Sequence, residues 1–276
     1  MANEDEAKKR LEETPAQAAE SALLKQMAEE ALAQPEARSE QGTPEKVFDI
    51  ERDVTKEDLQ HGAEYYRQIS EEMAKPGASK DSPMYLLASL KGVNPNLDVS
   101  MAPGMGERLS EKLDAYRKDL SSEFWQTATI AKAIAPEMDL ELPANAQELA
   151  QKLIDGQMKN AKYGATDFII TGAHMKEVGS SIEIAITEEA MQVAKEELAA
   201  LKSNVLKKST YSMDYLDLAN SMKVIDANID NGLDDEVLQK MKDQLDLLRQ
   251  EATLDPKKWI EFFALADQLK DITANE

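Results

Sequence analysis

From Thr55 to Leu269 the apolar residues recur at spacings of three and four, stripe after stripe, with Pro, Gly or Asn-Gly at most of the breaks. That period marks one face of an α-helix. A chain built of such stripes must bury them against one another, which predicts a mainly α, multi-helix bundle. The first stripe is Leu59, Ala63, Tyr66, Ile69 and Met73, opened by Thr55-Lys-Glu-Asp58 and stopped at Pro76-Gly77. Ser82-Pro83 opens a second helix carrying Met84, Leu86, Leu87 and Leu90, and Gly92 reads as its C-terminal stop. Residues 93–106 form a loop rich in turn residues, of a length that is often functional or mobile in a compact domain.

The longest stripe runs from about residue 107 to 135: Leu109, Leu113, Tyr116, Leu120, Phe124, Ala128, Ala131 and Ile134, ending before Pro136. Read as one helix it is about 40 Å long, the spine of the bundle or half of a coiled coil. After a Pro136–Pro143 breaker, Asn145-Ala-Gln-Glu148 reads as a capping box before Leu149, Leu153, Ile154 and Met158. Thr187 caps a later helix with Glu188 and Glu189 in its first turn and Lys207 and Lys208 in its last. Three more helices follow. One is striped by Tyr215 to Ile229 and ends at Asn231-Gly232; the second is capped by Asp234; the last opens at Asp255-Pro256. The count from residue 55 onward is about eight.

One stretch breaks the helical period. In Ser181-Ile-Glu-Ile-Ala-Ile-Thr187, Ile182, Ile184 and Ile186 alternate with Ser181, Glu183 and Ala185, the pattern of a half-buried strand. Thr166-Asp-Phe-Ile-Ile-Thr171 is rich in β-branched residues, and Gly172 and Gly179 lie between the two segments. Together they predict a small β-hairpin near 166–187, inserted in the bundle, with the three Ile inward and Glu183 in solvent.

The domain expectation is a disordered acidic arm at 1–50 and a helical domain at 51–276. The arm carries twelve acids against six bases and too little apolar surface to offset the entropy of ordering. Within it, Thr14-Pro-Ala-Gln17 can start a short helix with Ala19, Leu23, Met27 and Ala31 on one stripe, a candidate partner-binding helix.

Charge excludes some classes of function. With 53 acids against 32 Lys and Arg the net charge is −21, which disfavours nucleic acid and anionic membranes as partners. No apolar run approaches the roughly 20 residues of a membrane span. The N-terminus lacks the apolar core of a secretory signal, so the expected location is the cytoplasm, with a virion or signal-less export as alternatives. The chain has no Cys, hence no disulfides, thiolate metal sites or cysteine nucleophile.

Motif chemistry is equally sparse. Asp226-Ala-Asn-Ile-Asp230-Asn-Gly232 resembles a calcium loop at first, but its Gly falls at position seven and Val237 stands where the bidentate Glu belongs. The segment reads better as the end of a helix. The two histidines, His61 and His174, each precede a Glu by three residues (Glu64, Glu177), which is too few ligands for a metal site. Gly104-Met-Gly106 follows no strand, so it does not read as a phosphate cradle. The alternating Glu137, Asp139 and Glu141 read as a solvated loop. No catalytic, cofactor-binding or metal-binding residue is assigned, and no cofactor is implied.

The expected function is therefore non-enzymatic: a structural or assembly protein working through helix-mediated self-association or partner binding, as in a virion, a scaffold or a secretion apparatus. The alternatives are a secreted or injected effector that binds a host protein, and an acidic mimic of DNA. Its partners would be proteins, among them copies of itself. The candidate interface residues are Phe124 and Trp125, which point about 100° apart on a helix so that one faces outward, together with Leu23 and Met27 on the arm.

Overall fold

The computed structural model divides the chain into two units, Met1–Glu45 and Lys46–Glu276. It describes residues 47–72, 81–160, 166–179, 181–208 and 213–274. The arm, with Leu23 and Met27, lies outside the described residues. Within the second unit, the described residues hold eleven helices and no strand. They are α1 (Ile50–Asp53), α2 (Lys56–Glu72), α3 (Ser82–Val93), α4 (Met105–Arg117), α5 (Ser122–Ile134) and α6 (Ala146–Met158). The remainder are α7 (Asp167–Val178), α8 (Glu188–Lys208), α9 (Met213–Ile225), α10 (Asp235–Leu254) and α11 (Lys258–Ala274). The mainly α bundle is as expected; the hairpin and the long helix are not.

Residues 167–178 are helix, not strand. Phe168, Ile169, Thr171, Gly172, Ala173 and Met175 are all buried, because α7 is a hub packed against α5, α6 and α9. A helix enclosed on nearly every side keeps only a narrow polar stripe, here with His174 and Glu177, so its sequence loses the period that betrays amphipathic helices. Gly172 is no turn residue either. A Cβ there would lie 2.5 Å from Ile184 Cδ1, so this glycine lets the 181–187 segment approach the helix.

That segment is extended and unpaired with any strand among the described residues. Its expected register holds: Ile182 is buried, Ile184 and Ile186 are half-buried, and Glu183 is exposed. Its backbone partners are two glutamine side chains of α6. Gln147 Oε1 accepts from Glu183 N–H at 2.9 Å and its amide donates back to Glu183 C=O. Gln151 Oε1 accepts from Ala185 N–H at 2.9 Å, and its Nε2 donates to Ala185 C=O at 3.1 Å. Four residues of helix rise about 6 Å, and two residues of extended chain about 6.6 Å. The near match lets i, i+4 amides serve i, i+2 peptide groups. Asn145 makes no side-chain cap, so the expected capping box of Asn145 with Glu148 does not form.

The long helix is two helices, α4 and α5, broken at 118–121. Leu120 takes φ +46°, the region L-residues usually avoid. The cost is about 1–2 kcal/mol, and burying a Leu side chain gains about 1.5–3 kcal/mol; Leu120 is fully buried. The break also corrects the Phe124–Trp125 expectation. Both rings are fully buried and meet edge-on at 5.3 Å, because α3, α4 and α7 surround α5. Neither is an outward-facing anchor.

The second hub is α11, packed on α2, α3, α9 and α10, with Trp259, Phe262 and Phe263 in edge-on and tilted contacts of 5.0–5.8 Å. Gly62 of α2 allows this packing, since a Cβ there would lie 2.1 Å from Phe263. Gly92 likewise lies inside α3 rather than ending it, and a Cβ would collide with the Asp267 carboxylate of α11. Helix α9 ends at Ile225, earlier than the expected Asn231-Gly232. Lys176 of α7 donates to the Val224 and Ile225 carbonyls at 3.3 and 2.8 Å, satisfying groups left free by the helix end.

Candidate functional site

Five helices each bring one polar stripe to a shared cavity of about 350 Å³. Tyr85 and Ser89 come from α3, Gln126 and Thr129 from α5, His174 and Glu177 from α7. Helix α9 adds Asp217 and Asn220, and α11 adds Asp267, Gln268 and Asp271. The spacings are again three and four, so each polar stripe runs beside the apolar one that packs its helix. Four carboxyl groups thus line one cavity, and among the described residues that line it there is no Lys or Arg. The Lys270 ammonium, whose charge acts on Asp267 and Asp271, donates to the Gly92 carbonyl.

Hydrogen bonds organise the α9–α11 wall. Gln268 Nε2 donates to Asp217 Oδ1 at 2.8 Å. Asn220 Nδ2 donates to the Gln268 carbonyl at 2.9 Å and to its side-chain oxygen. Asn220 Oδ1 is buried and unpartnered among the described residues.

The electrostatics follow from crowding and like charge. Burial, reinforced by Asp271, pushes Glu177 up to about 7, with the Thr129 hydroxyl partly opposing. Burial and Asp214 push Asp217 up to about 6. Asp267 lies well above the carboxylate range through burial and Asp271, opposed in part by Lys270, with a lesser push from Glu177. Asp271 is raised by burial in the same way. Burial lowers His174, which favours the neutral ring. Glu177 and Asp271 stand at the mouth, exposed by area though protein surrounds them on most sides. Solvent screening moderates their shifts more than that of Asp267.

A larger groove, about 750 Å³, lies between α2, the 98–104 loop and α4. Tyr66 organises it: the hydroxyl accepts from Ala102 N–H at 2.9 Å and donates to Ser100 C=O at 3.2 Å. Its volume is greater, but the clustered ionisable groups with raised pKa lie in the five-helix cavity. The cavity is therefore the better candidate.

The other sequence candidates resolve as follows. His174 and Glu177 lie together on α7, in a helix rather than a hairpin connection. His61 is exposed, its ring 5.6 Å from that of Trp259. In the 226–232 loop, Asp226 and Asp230 accept from their own backbone, Asn228 N–H at 2.9 Å and Gly232 N–H at 2.8 Å. Gly232 has φ +69°. These are turn-forming contacts. Among the described residues no group of three or more His, Asp or Glu side chains is placed to hold a metal ion, and no helix is long and apolar enough to cross a membrane. Reasoning from sequence missed the cavity because 53 acids hide any four of them. The available signal was Asp217, Asp267 and Asp271 lying next to apolar stripes rather than opposite them.

No family model, curated protein or solved structure matches this chain.

Proposed function

We propose that this chain is a non-enzymatic binding and assembly protein whose five-helix cavity receives a positively charged segment of a protein partner. The observation that supports it is the gathering of Glu177, Asp217, Asp267 and Asp271 in one cavity that no Lys or Arg among the described residues lines. Burial raises Glu177, Asp217 and Asp267, and like charge within the cavity adds to the shifts of Glu177 and Asp267; a cation there stabilises the ionised forms. About 350 Å³ is near the low end of the range for ligand sites, which suits one or two side chains. Tyr85, 41% exposed at the rim, offers a face for an ammonium or guanidinium. A scaffold, a secretion component and an effector would each use such a site.

Catalysis is the rival, and one observation favours it: a carboxyl near pH 7 beside a lower one resembles a general-acid arrangement. Binding is preferred because burial and like charge account for both shifts without a reaction.

The experiment is calorimetric titration with a Lys/Arg-rich peptide and a matched Gln-substituted peptide. A cation needs ionised carboxyls, so affinity should rise with pH through about 6 and about 7. The basic peptide should bind the wild type, more tightly at high pH, and lose roughly tenfold or more with Glu177→Gln plus Asp267→Asn. Equal binding of the two peptides, or no effect of the double variant, would contradict the reading.

A further inference from the structure

In an extended chain the peptide groups of successive residues point to opposite edges. In the 181–187 segment, Glu183 and Ala185 give one edge to Gln147 and Gln151. The other edge belongs to Ile182, Ile184 and Ile186. There the Ile182 N–H turns back to Gly179 C=O at 2.8 Å. The Ile184 N–H and C=O, the Ile182 C=O and the Ile186 N–H have no hydrogen-bond partner among the described residues. An open groove of about 550 Å³ lies at Lys176, Ile182, Glu183 and Ile184. The segment presents unpaired peptide groups as the edge of a sheet does, the arrangement that templates pairing with another chain.

We infer that the occupant is the same segment of a second copy, paired antiparallel about a two-fold axis at Ile184. In that register Ile184 exchanges two hydrogen bonds with the second copy's Ile184, and each Ile186 N–H donates to the opposite Ile182 C=O. All four bonds use groups that are free in the single chain, and the occupied Ile182 N–H is not needed. The side-chain pairing is permissive as well. Glu183 faces Ala185 of the second copy, and Ser181 faces Thr187, so no like charges oppose each other despite the net charge of −21. The Glu183 and Ala185 positions form the non-hydrogen-bonded pairs, consistent with their peptide groups being spent on α6. The pairing is isologous and closes at two copies. It stands independently of the acidic cavity.

The register makes a charge-specific test available at exposed Ala185. Sedimentation across protein concentration should show a monomer–dimer equilibrium in the wild type. Ala185→Glu sets two Glu–Glu pairs across the axis and should weaken dimerisation by roughly threefold to tenfold; Ala185→Lys sets two Glu–Lys pairs and should strengthen it by a similar factor. Ala199→Glu and Ala199→Lys make the same changes of net charge at an exposed site on α8 and serve as controls. Ile184→Pro, which removes a donor the single chain does not use, should abolish the dimer while leaving its helical circular dichroism intact. A wild type that stays monomeric into the high micromolar range overturns the inference, including one that pairs with a foreign extended peptide instead. So does a dimer that responds to the Ala185 variants no differently from the Ala199 controls.

Discussion

Asp58 shows how one side chain ties distant parts of this chain. It closes a capping box at the start of α2, accepting from Thr55 N–H at 2.8 Å while Thr55 Oγ1 accepts from Asp58 N–H at 3.1 Å. It also receives Arg249 Nε of α10 at 3.0 and 3.1 Å on its two oxygens. Arg249 further donates to Asp53 C=O at 2.5 Å and stacks over Phe262 at 5.3 Å. Asp58 is only 4% exposed, so losing the arginine strands a buried carboxylate. Arg249→Met should therefore cost about 3 kcal/mol in urea denaturation. Lys112→Met, which removes the more open Lys112–Asp81 pair at 2.9 Å, should cost less than about 1 kcal/mol. Similar losses in the two variants would mean that the Asp58 contact is no stronger than a surface pair. The Thr55-x-x-Asp58 box was legible in the sequence, as were the caps of Thr187 on Ala190 N–H and Asp234 on Val237 N–H. The arginine was not, since 191 residues separate it from its partner.

At the scale of elements, the glutamine pair of α6 takes the place a neighbouring strand would fill. Gln147→Ala with Gln151→Ala removes the four hydrogen bonds to this segment, worth about 0.5–1.5 kcal/mol each. Amide exchange at Glu183 and Ala185 should then accelerate by at least roughly tenfold, while amides of α10 and α11 keep their protection. Protection that survived at 183 and 185 would show that the isoleucines alone hold the segment. The alternation of Ile182, Ile184 and Ile186 was readable, and so was their inward face. Their neighbour was not, because side-chain amides on a helix leave no β-pattern of their own. The segment read as the other strand became α7, since Phe168 to Met175 is apolar on nearly all sides and its one glycine marks a close contact. Two stripes in phase across 118–121 likewise concealed a break that depends on Leu120 adopting a positive φ. Amphipathic surface helices such as α2 and α10 were easy to read; enclosed ones were not.

Across the whole molecule, protons and folding are linked through carboxyls of two kinds. Asp53 and Asp234 are lowered. For Asp53, burial opposes the bonds from Arg52, Asp49 and Lys242; for Asp234, the Lys202 bond leads. Their stabilisation is present above their unfolded pKa and is lost as pH falls through the folded one. Glu177 and Asp217 are raised, so their contribution is fully present below their unfolded values and is lost as pH climbs through about 7 and about 6. The cavity thus favours protons or another cation at its carboxyls, which is the physical content of the binding proposal. The most direct measurement is a side-chain carboxyl carbon NMR titration of Glu177 and Asp217, with and without the basic peptide. The account predicts midpoints near 7 and 6, both moving down when the peptide is bound. Midpoints at the ordinary values of about 4.3 and 3.9, unmoved by the peptide, would contradict it.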